Sequence, residues 1–414
     1  MPGAESLRVA LLSYRSKPTC GGQGVYLRHL SRELVALGHS VEVFSGQPYP
    51  ELDEGVVLTK IPSLDLYRDE DPFRTPGLSE YRDWIDLLEV GTMWTAGFPE
   101  PLTFSLRAYR ELKKRVGDFD VVQDNQTLGY GVLGIQKLFP VVGTIHHPIS
   151  VDRRIEIKAA TLRKKLPMRR WYGFVRMQAK VAPRLSPILT VSESSLADIH
   201  RDFNVPQKNM RLIPLGVDTR YFHPRPEIPK RPGSIVAVAS ADSPMKGVAT
   251  LLRAVAKLAT ERDVNLTVVS RPTPGGPTEK LVGELALQDR VKFVHGISDA
   301  ELGELIATSE ISVVPSLYEG FSLPAVEHMA CGTPLVASRT GALPEVVGDA
   351  AIQVAPGDPE ELAAVLRRLH DSPEERAAVG KKGYDRVMER FTWNVVAQRT
   401  VEAYHEAIQA RRAK

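Results

Sequence analysis

Cysteine is scarce in this chain. Its two residues, Cys20 and Cys331, cannot build a disulfide framework, and neither stands beside other ligands at zinc-site spacing. A reducing, cytoplasmic setting is expected. Long apolar runs are missing as well. No stretch approaches the roughly 18 residues of a spanning helix, and the start, MPGAESLRVALLSY, lacks the basic opening and apolar core of a secretory leader. Neither a P-loop nor a nucleophilic-serine elbow occurs, which argues against P-loop NTPases and α/β-hydrolases. No solenoid-length repeat or low-complexity tract is apparent.

What is present is ordinary in amount and uneven in placement. A chain of 414 residues, 43% hydrophobic and 25% charged, supports two domains with full cores. The net charge is +3, yet residues 153–184 hold eleven Lys/Arg against the single acid Glu156. That block carries +10 and the rest of the chain −7. A basic block in an acidic protein fits a local anionic partner, such as a membrane surface, and not a general nucleic-acid coat.

Short β-rich runs alternate with helical patterns. RVALLSY, SVEVFSG, FDVVQDN, VVGTIHH, PILTVSE and MRLIPLG read as strands of a first series. Between the first two, QGVYLRHLSRELVALG shows helical spacing and ends at Gly38. Residues 217–233 hold four prolines and no periodicity, which suits a linker. SIVAVAS, NLTVVS, VKFVHG, ISVVPS, PLVAS and AIQVAP then form a second series, and the tail from about 358 reads as helical. The fold class is therefore α/β, with two doubly wound Rossmann-like domains at 1–216 and 234–395. Ligands are expected at the carboxyl ends of the strands.

Several strand ends carry chemistry. In CGGQGVY, Gly21 and Gly22 would let backbone approach a ligand beside a helix start. This turn is not GxGxxG, and no acid follows it at the ribose position, which disfavours a Rossmann oxidoreductase. Lys246, in ASADSPMKG, could neutralise a phosphate, and Arg271, in VVSRPTPGG, could grip a diphosphate in a bidentate way. Taken singly, each also reads as a solvated loop cation. His146 and His147 end a strand, where an imidazole could bind substrate or handle a proton, but no third zinc ligand stands at suitable spacing. Asp118 and Asp120 have DxD spacing but merely open an apolar run.

The stretch EGFSLPAVEHMACGTPLVAS places Glu319 before a helix opened by Pro324, and Glu327 within it. The two carboxylates can flank a ligand laid across the helix start, with N–H groups of Gly320, Phe321, Ser322 and Leu323 facing its phosphate. The plainer reading, that acids favour a helix N-terminus, accounts for Glu327 alone.

Together these motifs resemble the family-four retaining glycosyltransferases, which have the GT-B fold. The resemblance spans nearly the whole chain, through GGQGVY, TIHH, TVSESSLADI, IPLGVDTRYFHP, the Lys246–Gly247 pair, the E-x7-E run from Glu319 to Glu327, TGALPEVV and FTWNVV. It implies two domains facing a cleft, with a terminal helix, 396–414, crossing back to the first. It implies that a hexose moves from a nucleoside-diphosphate sugar of the UDP-glucose or GDP-mannose type to a glycan, glycolipid or small-molecule acceptor. It further implies a front-face route without metal or other cofactor. By the same resemblance Glu319 contacts sugar hydroxyls, Glu327 the ribose, Lys246 the diphosphate and His146 the sugar near the reaction centre. Gly21 and Gly22 would lie near the donor phosphates and the acceptor.

One departure stands out. The family usually has an arginine five residues before the lysine, and here that position is Ala241. Arg271 is the candidate replacement, and a non-catalytic sugar-nucleotide-binding protein is the alternative, with another GT-B enzyme such as an epimerase as a further one. The basic block mixes its cations with Trp171, Tyr172 and Phe174, a composition suited to lying on the inner face of the cell membrane and taking a lipid-linked acceptor. A solvated helix with its aromatics on the core side is the plainer alternative.

Overall fold

Arg8–Ser13 (β1) is buried along all but its first residue, the pattern of a parallel strand covered on both faces. In the computed structural model, which describes residues 6–16, 22–68, 70–159 and 161–413, it is central to a seven-stranded sheet. The other strands are Ser40–Ser45 (β2), Val57–Lys60 (β3), Val121–Asn125 (β4), Val141–Ile145 (β5), Ile188–Thr190 (β6) and Met210–Leu212 (β7). All pair in parallel, in the order β3-β2-β1-β4-β5-β6-β7. The edge strand β3 escapes the sequence pattern because none of its residues is fully buried, so it shows no apolar run. Helix Gly22–Ala36 follows β1 and buries Tyr26, Leu27, Leu30 and Leu34. Just beyond its end, Gly38 takes a φ of +91°.

The second sheet holds Arg231–Val238 (β8), Asn265–Val269 (β9), Val291–Val294 (β10), Ser309–Val314 (β11), Leu335–Ser338 (β12) and Ile352–Val354 (β13). These are again all parallel, in the order β10-β9-β8-β11-β12-β13. Leu251, Leu252, Val255 and Leu258 of helix Val248–Leu258 share a core with Ile235, Val268 and Val313. In each sheet the strand order reverses once, between β1 and β4 and between β8 and β11. Doubly wound sheets hold ligands at the carboxyl ends beside such a reversal.

Contacts divide the chain into two units. One comprises Met1–Val191, Ser195–Ile213 and Val396–Lys414, the other Ser192–Ser194 and Pro214–Val395. The stretch read as a linker is folded into the second unit. Val217 N–H donates to Phe391 O at 2.7 Å, Phe222 is buried, and the Tyr221 carbonyl lies so near Gly303 that a Cβ there would come within 2.1 Å. β8 also starts at Arg231, three residues before the position expected from sequence. Apolar side chains ahead of the prolines find a surface, which a count of prolines does not reveal.

A GxGxxG spacing does occur in the chain, at Gly129–Gly134, but after β4 and not in the first strand–helix turn. Its glycines serve packing. A Cβ on Gly131 would fall 2.0 Å from Ser105 O, so helix Tyr130–Leu138 lies directly against helix Glu100–Lys113.

Candidate functional site

In the second unit the site is assembled from the loops after β8 and β11. A short turn, Pro244–Lys246, leads into Gly247, whose φ is +66°. A Cβ at Gly247 would lie 1.9 Å from Pro315 O, so the β8 loop runs directly against the β11 loop. That approach delivers Lys246 Nζ to within 2.8 Å of Glu319 Oε1. Ser316 Oγ donates to the same oxygen at 2.7 Å. Oε2 takes no hydrogen bond among the described residues. The backbone of Glu319 is held in turn: its carbonyl accepts from Ala342 N–H at 2.9 Å, and a Cβ on Gly341 would reach that carbonyl oxygen at 2.2 Å.

The next residues approach the helix under strain. Gly320 O accepts from Ser192 Oγ at 2.7 Å, and the Phe321 ring packs edge-on to Phe391 at 6.0 Å. Ser322 sits at φ +88°, ψ +83°, a region that disfavours any residue with a Cβ, and its buried hydroxyl has no hydrogen-bond partner among the described residues. Non-glycine strain of this kind costs about 1–3 kcal/mol and concentrates at binding sites. Helix Leu323–Ala330 then begins, with Pro324 in its first turn. The leading N–H groups of a helix have no intrahelical partner and carry the positive end of the dipole, so they suit an anion.

Glu327 lies on the same helix, beyond the first turn. Burial of its carboxyl, with Asp299 adding repulsion, pushes its pKa up to about 7. Its carboxylate makes no ion pair or side-chain hydrogen bond among the described residues. Arg271 follows β9, exposed and likewise without an ion pair or hydrogen bond. Its loop is tied to the Ala241 turn: Ser270 Oγ accepts from Ala241 N–H at 2.8 Å, and Asp242 accepts from Thr273 N–H at 2.6 Å. The Thr273 N–H bond, with the Thr273 and Thr278 side chains, holds the Asp242 pKa down at about 2.

In the first unit Gly22 opens its helix, while Gly21, like Cys20, lies outside the described residues. His146 follows β5. Its Nε2 is 2.7 Å from Asn125 Oδ1, at the end of β4, and its ring meets Tyr26 edge-on at 4.5 Å. Gln126 clamps the adjoining backbone from both sides, accepting from His146 N–H at 2.9 Å and donating to His147 O at 2.8 Å. Half-buried among these groups, the imidazole loses hydration, which pushes its pKa down to about 4, so it is neutral at ordinary pH. Beneath it Gln123 donates to Tyr26 Oη and Thr144 Oγ1, and accepts from Tyr404 Oη on the terminal helix Trp393–Arg412. The near contact of Asn125 with His146 implies that Asn125 accepts a ring N–H and orients the imidazole.

The structure thus brings Lys246, Glu319 and Gly320–Leu323 together in one unit, with Glu327 further along the helix and Arg271 on the adjoining loop. Sequence reasoning missed Ser316, Asn125, Gln126 and the Tyr26–Gln123–Tyr404 chain. Only the glycine after Lys246 hinted at a close approach. The DxD pair is taken up otherwise, because Asp120 pairs with Arg8 and Asp118 with Arg115, each at 2.8 Å, ahead of the amino end of β4.

The aromatics of the basic block point inward. Tyr172 is buried, and Trp171 packs against Tyr67 and Phe98 at 5.6 and 5.0 Å. Their packing is on the core side. No helix among the described residues is long and apolar enough to cross a membrane.

Residues 20–221 match the family model described as Glycosyltransferase Family 4, and residues 221–386 match Glycosyl transferases group 1. A Mycolicibacterium hassiacum protein, described as an MMP alpha-(1->4)-mannosyltransferase, is 58% identical over 407 residues, covering 97% of this chain and 98% of its own. The chain belongs to the family-four glycosyltransferases. It is a glycosyltransferase with the GT-B fold. A Thermobispora bispora D-inositol 3-phosphate glycosyltransferase is 27% identical, covering 97% of this chain and 95% of its own. Among solved structures, sucrose-phosphate synthase from Thermosynechococcus elongatus has a TM-score of 0.70 at 23% identity, covering 98% of this chain and 100% of that one. Anabaena HepE in complex with UDP has a TM-score of 0.69 at 17% identity, covering 97% and 100%. These last two likenesses concern the fold alone.

Proposed function

We propose that the protein transfers a hexose from a nucleoside-diphosphate sugar to a saccharide hydroxyl, with retention at the anomeric carbon. Mannose is the favoured sugar, by likeness to the relative described as an alpha-(1->4)-mannosyltransferase. The sugar of GDP-mannose is α-linked, so an α product corresponds to retention.

The observation that carries the reading is the Lys246–Glu319 pair, set beside the start of helix Leu323–Ala330 at the strand-order reversal. The lysine and the helix-start N–H groups suit a diphosphate, and the carboxylate of Glu319 suits sugar hydroxyls. Glu327, with no partner for its carboxylate among the described residues, is available to the ribose. Arg271 supplies the second cation that Ala241 cannot, since its loop is bonded to the Ala241 turn.

In the step itself the bond from the anomeric carbon to the diphosphate oxygen breaks. The acceptor oxygen bonds to the same face of that carbon, and its proton passes to the departing phosphate oxygen. Lys246 and Arg271 stabilise the charge that develops on the leaving group, so the scheme assigns no role to a metal. His146, held neutral with its Nε2–H given to Asn125, offers Nδ1 as a hydrogen-bond acceptor near the sugar without adding charge.

Thermal-shift screening across nucleoside diphosphates and their sugars, followed by NMR of the product, tests this. The expected result is stabilisation by GDP and GDP-mannose and an α-linked mannoside. A β-linked product, or no transfer from any donor, overturns it.

A further inference from the structure

The first unit carries a groove of about 490 Å³ lined by none of the residues assigned to the donor, inside the roughly 300–1,000 Å³ range of small-ligand clefts. Phe73, Trp94, Met168 and Trp171 line it, together with Glu156 and Arg163. Trp94 ends helix Trp84–Trp94, Glu156 lies on helix Ser150–Ala159, and Arg163, Met168 and Trp171 lie on helix Leu162–Trp171.

Two features separate this groove from an incidental dent. First, two of its rings are shown to solvent, and one of them, Phe73, is seated on other rings. Phe73 is 60% and Trp94 67% exposed. Phe73 rests edge-on on buried Tyr67 at 5.4 Å, and Tyr67 in turn meets Trp171 at 5.6 Å. Phe73 is held at φ +67° and Ala96 at φ +59°, conformations that bulky or branched side chains rarely adopt. The fold accepts that strain while leaving a phenyl ring in water. Second, the polar lining is one carboxylate and one guanidinium, and neither Glu156 nor Arg163 forms an ion pair or hydrogen bond among the described residues.

We propose that this groove is a saccharide subsite that holds the distal part of an oligosaccharide acceptor. A pyranose has an apolar C–H face, which lies on an aromatic plane, and hydroxyls at its edge, which bond both to a carboxylate and to a guanidinium. The lining matches both halves of that chemistry. An anionic lipid headgroup would set its phosphate beside Glu156. An apolar protein segment would bury Glu156 and Arg163 unpaired, at a desolvation cost. The inference rests on the reading of a saccharide acceptor given above.

The test compares wild type with Trp94→Ala and Phe73→Ala, whose side chains are mostly exposed and whose removal leaves the core intact. Binding is followed without donor, by tryptophan fluorescence in wild type and Phe73→Ala and by calorimetry in all three. The probe is a series of α-(1→4)-linked mannooligosaccharides from one to six residues. Transfer from GDP-mannose to the same series is measured separately. The expected result is a KM raised about tenfold for the longest acceptors, with KM for the shortest and kcat unchanged. Retained length-dependent binding in a protein that transfers no mannose would sink the functional reading while supporting the groove. Equal KM at every length would overturn the groove. So would flotation of wild type with phosphatidylglycerol vesicles that Trp94→Ala abolishes, which would make the surface a membrane contact.

Discussion

Lys246 Nζ lies 2.8 Å from Glu319 Oε1, and the two residues reach each other from loops on opposite sides of one strand-order reversal. The lysine is about one-third exposed. A half-open ion pair of this sort adds little stability, so exchanging it for a ligand costs little. Donor binding would give the lysine a diphosphate and release the carboxylate to sugar hydroxyls.

Replacing Lys246 by Ala removes the charge expected to stabilise the leaving group. The expected outcome is a fall in kcat of about 10²–10³-fold, with the circular-dichroism spectrum and Tm near wild type. A kcat within threefold of wild type would remove Lys246 from the site.

Arg271→Ala isolates the substitute cation. Affinity for GDP should drop about tenfold while affinity for GMP, which lacks the second phosphate, holds. Calorimetric titration of both nucleotides decides it, and equal losses would show that the arginine acts elsewhere.

Gly247→Ala places a methyl group 1.9 Å from Pro315 O at a φ of +66°. Both the clash and the backbone strain push the β8 loop off the β11 loop. The variant should unfold several degrees earlier and bind nucleotide at least tenfold more weakly. Unchanged affinity would mean that Lys246 need not be delivered by this contact.

Glu327 gives a pH signature. Its folded-state pKa, about 7, is above the ordinary 4.5, so folding favours the protonated carboxyl. The stability this contributes is complete below about pH 4.5 and is lost as pH rises through about 7. Glu327→Gln, neutral throughout, should therefore match wild type near pH 4.5 and melt a few degrees higher near pH 8. Calorimetry at the two pH values reads the difference, and a gap independent of pH contradicts the assignment.

His146 should stay neutral across the working range, because burial holds its pKa near 4. Its ring resonances in ¹⁵N-labelled protein should not titrate between about pH 5.5 and 8. An inflection near 6.5 would show a hydrated, exposed imidazole instead.

Much of this could be read from residue order. Runs such as RVALLSY and ISVVPS showed two series of buried parallel strands, since a strand covered on both faces carries no polar alternation. The spacing from Glu319 to Glu327 and the position of Lys246 marked candidate donor residues at strand ends. The Pro-rich stretch misled because Val217 and Phe222 find a surface that proline content does not report. For the aromatics at 171–174 composition left two readings open, a membrane-facing and a core-side one, and helix orientation, which composition does not report, packs Tyr172 and Trp171 against the core.

The order of residues by itself determined the α/β class, the two strand series, the family and the chemical types at the strand ends. These depend on local pattern and on residue identity. Tertiary structure alone decided which of those groups meet. The Gly247 approach to Pro315 sets Lys246 on Glu319, Ser316 shares that carboxylate, and Asn125 and Gln126 hold His146. It also gathered Phe73 and Trp94 with Glu156 and Arg163, residues up to 90 positions apart in sequence, into one groove. Such meetings depend on packing between distant segments, where a close glycine contact or a buried ring sets position within an ångström, and no local pattern records that distance.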